Sequence, residues 1–450
     1  MPVRSLGVLF LLASFHLSVH AQIKFAPAVP YSLQGTSDGS RRCIIAADFD
    51  GDARPDLAMC LGAPGIGVLM NKGDGTFPTP MVYPVGSGRP GALAAIDVNS
   101  DGRSDVVAIA DDSRLYILVN QGNGTFKQPT EVPPPPGAGG PVSLVVGDFN
   151  GDGRKDLAAS YGFGVNAIFL NAGDGTITLS STFKAPPDSG HFCCGVSVLA
   201  DAGDFNGDGV DDILTSQEED GFSILLGQTN GTMGSPVTYP GYTYPLYWAA
   251  DVNGDGKSDV VVVHFNAALT VLKNDGTGKL LSAQSTSAGV WCCSLTLAIA
   301  DFDGNGSPDA VLGPVGGKLY SFSNDGLGSF DANLALTGYD WNGSRLGSAV
   351  ADFDGDGLRD FVQYDGITLY IIRNGSVSSA PVTSITGVFP NHGGNSGSIS
   401  AIKIVGTGFP ADVLFKLVGP GPDLLPTNPV VSTQGNLVTF GLNLVGATPG

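Results

Sequence analysis

The chain has 450 residues, 66 of them glycine and 30 proline, with 42% hydrophobic residues and a formal charge of −20. That length exceeds what one simple core organises, so a repeat array or several domains is expected. The acidity excludes the basic footprint that nucleic-acid binding requires, and a charged fraction of 14% spread between apolar segments excludes wholesale disorder.

In chain order, Arg4 precedes an apolar run from Leu6 to Leu17, and Val19-His-Ala21 offers a small residue at a cleavage position. Residues 1–21 therefore read as a secretory signal peptide. The run is shorter than a spanning helix needs, and no later stretch is long and apolar enough to serve as one. The mature protein is expected to be secreted, extracellular or at the cell surface, with no membrane insertion. Disulfides are permitted in that setting. Six cysteines fit it: Cys43 and Cys60 flank the first acidic motif on strands that could pair, and Cys193-Cys194 and Cys292-Cys293 form two adjacent pairs. The spacing leaves the connectivity open between structural bridges and buried thiols.

Residues 22–375 are dominated by a nine-residue acidic motif that occurs seven times, at intervals of 47 to 56 residues. Its positions one, three, five and nine are Asp48, Asp50, Asp52, Asp56; Asp97, Asn99, Asp101, Asp105; Asp148, Asn150, Asp152, Asp156; Asp204, Asn206, Asp208, Asp212; Asp251, Asn253, Asp255, Asp259; Asp301, Asp303, Asn305, Asp309; and Asp352, Asp354, Asp356, Asp360. These positions hold 23 of the 42 acidic residues, so the charge belongs to repeated sites rather than to an acidic tail. Each period adds apolar strands before and after the motif, a third strand, and a turn such as Asn71-Lys-Gly-Asp-Gly-Thr76 leading to a fourth. Four strands in about fifty residues is the pattern of a propeller blade. The seventh period lacks its last strand, and Phe25 to Tyr31 resembles Phe77 to Tyr83, so the segment 23–33 is expected to complete the last blade. The fold class is thus all-β, a seven-bladed β-propeller. A linker at 376–380 and a C-terminal immunoglobulin-like β-sandwich at 381–450, incomplete at Gly450, are expected to follow.

Alternating oxygen ligands at one, three and five, a carbonyl at seven and a carboxylate at nine suit a hard cation, and glycine at six relieves the bend. Calcium is the expected ion, with up to seven bound. Magnesium favours smaller octahedral sites, and zinc or iron would call for His or Cys beside the loop. Ala53 replaces the glycine in the first motif and Asn305 the aspartate in the sixth, so those two are expected to bind most weakly. The competing reading is an Asx-capped hairpin turn with no metal.

The run Val146-Gly-Asp-Phe-Asn-Gly-Asp-Gly-Arg-Lys-Asp-Leu157 resembles the FG-GAP/VCBS repeat of integrin α subunits and many secreted bacterial proteins. The resemblance implies structural calcium on one face of the ring and partners docking on the other. The C-terminal region resembles an IPT/TIG domain. The FG-GAP/VCBS family spans adhesion receptors, fungal lectins and polysaccharide lyases, so the resemblance implies a scaffold and no single activity. On the face opposite the acidic loops the sequence offers His191, Phe192, Tyr242, Tyr244, Tyr247, Trp248, His264, Phe265, Trp291, Tyr339 and Trp341, near Asp340 and Glu218-Glu-Asp220. Such groups can stack on and hydrogen-bond a sugar. The expected function is a calcium-binding adhesion module for a glycan or extracellular protein. The alternatives are a polysaccharide lyase and a structural segment of a larger surface protein. No catalytic residue is assigned, since no nucleophile elbow, zinc-protease motif or phosphate loop occurs.

Overall fold

The computed structural model describes residues 16–20, 23–33, 43–86, 88–184, 198–217, 221–240, 246–264, 268–287, 296–313, 318–336, 347–375, 384–389, 398–407, 414–418, 426–431 and 437–443. The chain divides into two units, the larger built from Ile23–Phe302 and Gly306–Ser376. That unit is a seven-bladed β-propeller of four-stranded antiparallel sheets.

Blade 1 consists of Ile44–Ala47, Asp56–Cys60, Ile66–Leu69 and Met81–Tyr83, in that spatial order. Blade 2 has Pro90–Ile96, Asp105–Ala110, Leu115–Leu118 and Thr130–Val132. Blade 3 has Pro141–Gly147, Asp156–Tyr161, Val165–Asn171 and Ile177–Phe183. Blade 4 has Val198–Gly203, Asp212–Gln217, Gly221–Leu225 and Val237–Tyr239, with a small hairpin of Gly227–Gln228 and Thr232–Met233 inserted. Blade 5 has Leu246–Ala250, Asp259–Val263, Ala268–Asn274 and Leu280–Ser287. Blade 6 has Thr296–Ala300, Asp309–Gly313, Leu319–Asn324 and Phe330–Leu336.

Blade 7 takes three strands from the end of the unit, Gly347–Ala351, Asp360–Tyr364 and Thr368–Ile372, and its fourth, Val29–Ser32, from the beginning. Val29 pairs with Ile371 and Ser32 with Thr368. Phe25 also bridges to Asn374, as Phe126 does to Asn120 within blade 2. The ring is thereby closed with strands already present, which leaves only short outer edges.

After its leading aspartate the second strand is a continuous apolar run in blades 1, 2 and 5, because both of its faces are covered by neighbouring blades; Asp56–Cys60, Asp105–Ala110 and Asp259–Val263 are buried throughout. The outer strands are mostly exposed on the solvent side, as at Met81 and Val82. Position two of the motif plugs the seam between blades: Phe49, Phe149, Phe205, Phe302 and Phe353 are fully buried. Phe49 meets Phe126, Phe353 meets Phe77 and Phe302 meets Phe25, each edge to face with ring centroids 5.4 to 5.9 Å apart. A disulfide joins Cys43 to Cys60 across the first two strands of blade 1. The other four cysteines lie outside the described residues.

In the smaller unit, Ser384–Phe389, Ser398–Thr407, Leu437–Asn443 and Pro426–Val431 form one antiparallel sheet in that order. His16–His20, inside the expected leader, pairs with Leu414–Val418. The linker at 376–380 lies outside the described residues. Among the described residues no helix is long and apolar enough to cross a membrane.

Candidate metal loops and the joints between blades

Each acidic motif is the hairpin between the first and second strands of its blade. In all seven the carboxylate at position one accepts the backbone N–H of position six at 2.7–2.9 Å, which curls the loop over its own side chain. Position six needs positive φ, and the glycines there supply it at no cost; Gly153, for one, has φ 84°. Ala53 adopts the same conformation at φ 67°, at a strain of about 1 kcal/mol.

Position three divides the loops into two kinds. Position three is Asn in four loops, and in three of them its side-chain amide donates to the position-five carboxylate: Asn99 to Asp101 at 3.1 Å, Asn150 to Asp152 at 3.0 Å and Asn206 to Asp208 at 2.9 Å. Where it is Asp, no such donor exists and carboxylates gather. Ligand-capable oxygens of Asp48, Asp50 and Asp56 lie within 4.8 Å of one another, as do those of Asp301, Asp303 and Asp309, and those of Asp352, Asp354 and Asp356. These three loops belong to blades 6, 7 and 1, consecutive around the ring closure. Sequence reasoning singled out loops 1 and 6 as weakest, yet the structure brings three carboxylates together in both. The gathering follows the identity of position three, and the changes at positions five and six do not prevent it.

Position seven matters as well. Arg54, Arg103 and Arg154 pair with the position-five aspartates Asp52, Asp101 and Asp152 of their own loops. In blade 7 that position is Leu358, and Asp356 joins the carboxylate group. Burial raises the pKa of Asp50, and the neighbouring Asp52 and Asp48 raise it further. Burial likewise raises Asp356, opposed by the Leu358 N–H and assisted by Asp354. The Asp354 Oδ1 is buried with no hydrogen-bond partner. An acceptor-only oxygen without a donor, set among other carboxylates, fits a cation with oxygen ligands.

Position nine has a second employment that its sequence pattern does not reveal. In every blade one oxygen of this buried carboxylate accepts the N–H of position two, and the other accepts an N–H at the end of the third strand, all at 2.6–3.2 Å. Burial lifts Asp56, Asp105, Asp156, Asp259 and Asp360 to about 6 and Asp212 to about 7. The residue is thus a fastener within its blade and, in blades 1 and 6, part of the carboxylate group too.

Sequence reasoning missed the asparagine that opens the later turn, treating it only as turn chemistry. Its Oδ1 does shape the turn, as in Asn71 accepting the Gly73 N–H at 2.9 Å. Its Nδ2 reaches into the preceding blade: Asn71 donates to the Phe353 carbonyl, Asn120 to Phe49, Asn171 to Asp97, Asn274 to Phe205, Asn324 to Val252 and Asn374 to Phe302. Blade 4 has Gly227 instead, and there Asp211 takes over. The Asp211 N–H donates to the Asp148 carbonyl at 2.8 Å, while its carboxylate accepts the Asp148 N–H at 2.7 Å and pairs with Lys155. The available signal was the recurrence of Asn fifteen residues after position nine in five blades and fourteen after it in the last.

The sequence pattern of the FG-GAP-like repeat matches residues 48–108, 97–159, 148–215 and 251–312, just over half of the chain. The chain belongs to the FG-GAP-like repeat family. Among solved structures, this FG-GAP-like repeat protein is similar to an Agrocybe aegerita lectin that recognises non-reducing terminal N-acetylglucosamine, at 20% identity over 74% of this chain and 86% of that one, TM-score 0.55. It is similar to the BP39L lectin of Burkholderia pseudomallei at 17% identity, covering 77% and 99%, TM-score 0.57. BBS1N in complex with ARL6DN shares 11% identity over 80% and 98%, TM-score 0.50. No curated protein matches the chain in sequence.

Of the aromatic groups expected on the face opposite the acidic loops, Phe192, Tyr242, Tyr244, Phe265, Trp291, Tyr339 and Trp341, with His191, Asp340 and Glu218 to Asp220, lie outside the described residues. Tyr247 and Trp248 are corrected from loop to strand, within Leu246–Ala250. Tyr247 is buried against Phe222 of blade 4, and Trp248 packs into the seam between blades 5 and 6. Strand alternation sends the two rings into opposite seams. His264 is half-buried, with Nε2 2.8 Å from the Thr270 hydroxyl, and burial lowers its pKa.

Proposed function

We propose that this protein is a secreted, calcium-stabilised propeller that binds a glycan, or the glycan of an extracellular protein, at a cell or matrix surface. The observation that carries the reading is the grouping of acceptor-only carboxylates in hairpins on a fold shared with two lectins. Asp48, Asp50 and Asp56, Asp301, Asp303 and Asp309, and Asp352, Asp354 and Asp356 would hold calcium first, and the four loops with Asn at position three more weakly. Bound calcium supplies positive charge that lets these carboxylates stay ionised side by side and ties each hairpin shut. The leader at 1–21, the linker at 376–380 and an IPT/TIG-like spacer at 381–450 complete the proposed organisation.

Titration of the chelated protein with calcium should resolve about three tight sites before weaker ones. Each site stabilises the fold by about 2.7 kcal/mol when calcium stands at a hundred times its Kd. Thermal melting should therefore shift down sharply with EDTA. An unchanged melting temperature, together with no metal by elemental analysis, would sink the calcium assignment and leave the Asx-turn reading.

Glycan binding is tested with the calcium-loaded protein on a glycan array, alongside an assay for unsaturated uronate release from polysaccharides. Retention of a defined class of terminal sugar without uronate release supports the binding module. Uronate release that is abolished in His264→Ala would replace it with the lyase reading.

A further inference from the structure

Three residues before the first aspartate of each motif, the inner strands carry Ile45, Ala94, Val145, Asp201, Trp248, Ala298 and Ala349. The six apolar residues pack into the seam with the next blade. Asp201 occupies the same place in the seam between blades 4 and 5. There its Oδ2 accepts the Ala249 N–H of the facing inner strand at 3.0 Å, and its Oδ1 accepts the Ala202 N–H at 2.9 Å. An irregularity in strand register between Leu199 and Asp201 accompanies the substitution. Among the described inner strands no other carries an acidic side chain.

We propose that Asp201 is a pH-sensitive latch between blades 4 and 5, which holds the seam closed when protonated and loosens it when ionised. With two N–H donors and, among the described residues, no cation paired with it, the charged form is poorly compensated in an otherwise apolar seam. The inner strand of blade 5 brings only Tyr247 as a titratable side chain, the inner strand of blade 3 brings none, and the strand paired with it sets Leu214 opposite. Asp211, at the head of that strand, adds like charge. Burial is the main cause that lifts Asp201 from its ordinary 3.8 to about 6, and the two N–H bonds only partly oppose it. A raised value in the fold means that the contribution to stability is fully present below about 3.8 and is lost as the pH rises through about 6.

Asp201→Asn keeps an acceptor for Ala249 and cannot ionise. The full chain and the variant should melt close together near pH 4, and the variant should then gain on wild type, by about 3 °C at a plateau above about pH 7. The position-nine aspartates titrate in the same range in both proteins, so the difference isolates Asp201. Hydrogen exchange gives a second readout that needs no variant. After correction for intrinsic rates, protection of Leu246–Ala250 should fall between about pH 4 and pH 6 by more than that of Thr296–Ala300 in blade 6, which has no counterpart of Asp201. A variant destabilised equally at every pH, or equal pH dependence of the two segments, would overturn the latch.

Discussion

Removing residues 23–33 from the full chain should leave a propeller that no longer melts cooperatively. The segment buries Ile23, Phe25 and Leu33 almost completely. At about 1.5–3 kcal/mol for each large side chain, that loss alone comes to roughly 6 kcal/mol. Phe25 also forms the edge contact to Phe302, so its loss opens a hole in the seam between blades 6 and 7. Thr368–Ile372 would become a bare edge, since Val29–Ser32 is its outer partner and Ala26 and Leu33 donate to Arg373 and Ile367. A domain's whole stability is about 5–15 kcal/mol, so little would remain. The expected result is a broad, early thermal transition by circular dichroism and association on size exclusion through the exposed edge. A variant that melts sharply within a few degrees of wild type would show that the closing segment is dispensable.

The second large effect is expected from Asp105→Ala. The side chain is fully buried and accepts the Val98 N–H at 2.9 Å and the Asn120 N–H at 2.6 Å. Truncation leaves both donors without a partner in the interior, at about 1–3 kcal/mol each. It also releases Asn120, whose amide reaches the Phe49 carbonyl of blade 1, so the damage spreads to a neighbouring blade. A loss of about 4 kcal/mol is expected in chelator, measured by denaturant unfolding. Asp101→Ala in the same loop should cost under about 1 kcal/mol under those conditions, because its bonds to Arg103 are exposed. If the two substitutions cost the same in chelator, position nine is only a ligand and the fastening role is wrong. The pH dependence has a definite sign. Asp105 is lifted to about 6 in the fold, so in chelator its contribution is fully present below about 3.8 and declines as the pH rises through about 6.

The blade repeat was legible because every signal that specifies it is local. Period, strand patterning and the Gly-rich turns are encoded within fifty residues, and Phe25 to Tyr31 announced the missing strand by resembling Phe77 to Tyr83. The acidic loops were equally legible as carboxylate-rich hairpins between the first and second strands of each blade. The grouping of their side chains was not: Asp48, Asp301 and Asp352 gather companions in the loops with a carboxylate at position three, a feature that Ala53 and Asn305 do not announce. Tyr247 and Trp248 were read as loop residues because two adjacent aromatics beside a Pro and Gly stretch give no sign of which seam each ring will fill.

The amino-acid sequence by itself determined an all-β repeat architecture, its seven units and the residue types able to hold a hard cation. Only the tertiary structure decided that position nine fastens two backbone segments, that Asn71, Asn120 and their counterparts bind one blade to the last, and that Asp201 stands where six other blades place an apolar side chain. The physical reason is that a strand pattern is a property of consecutive residues. A hydrogen-bond partner some seventy residues away, or across the ring closure from Asn71 to Phe353, exists only once the blades are set side by side.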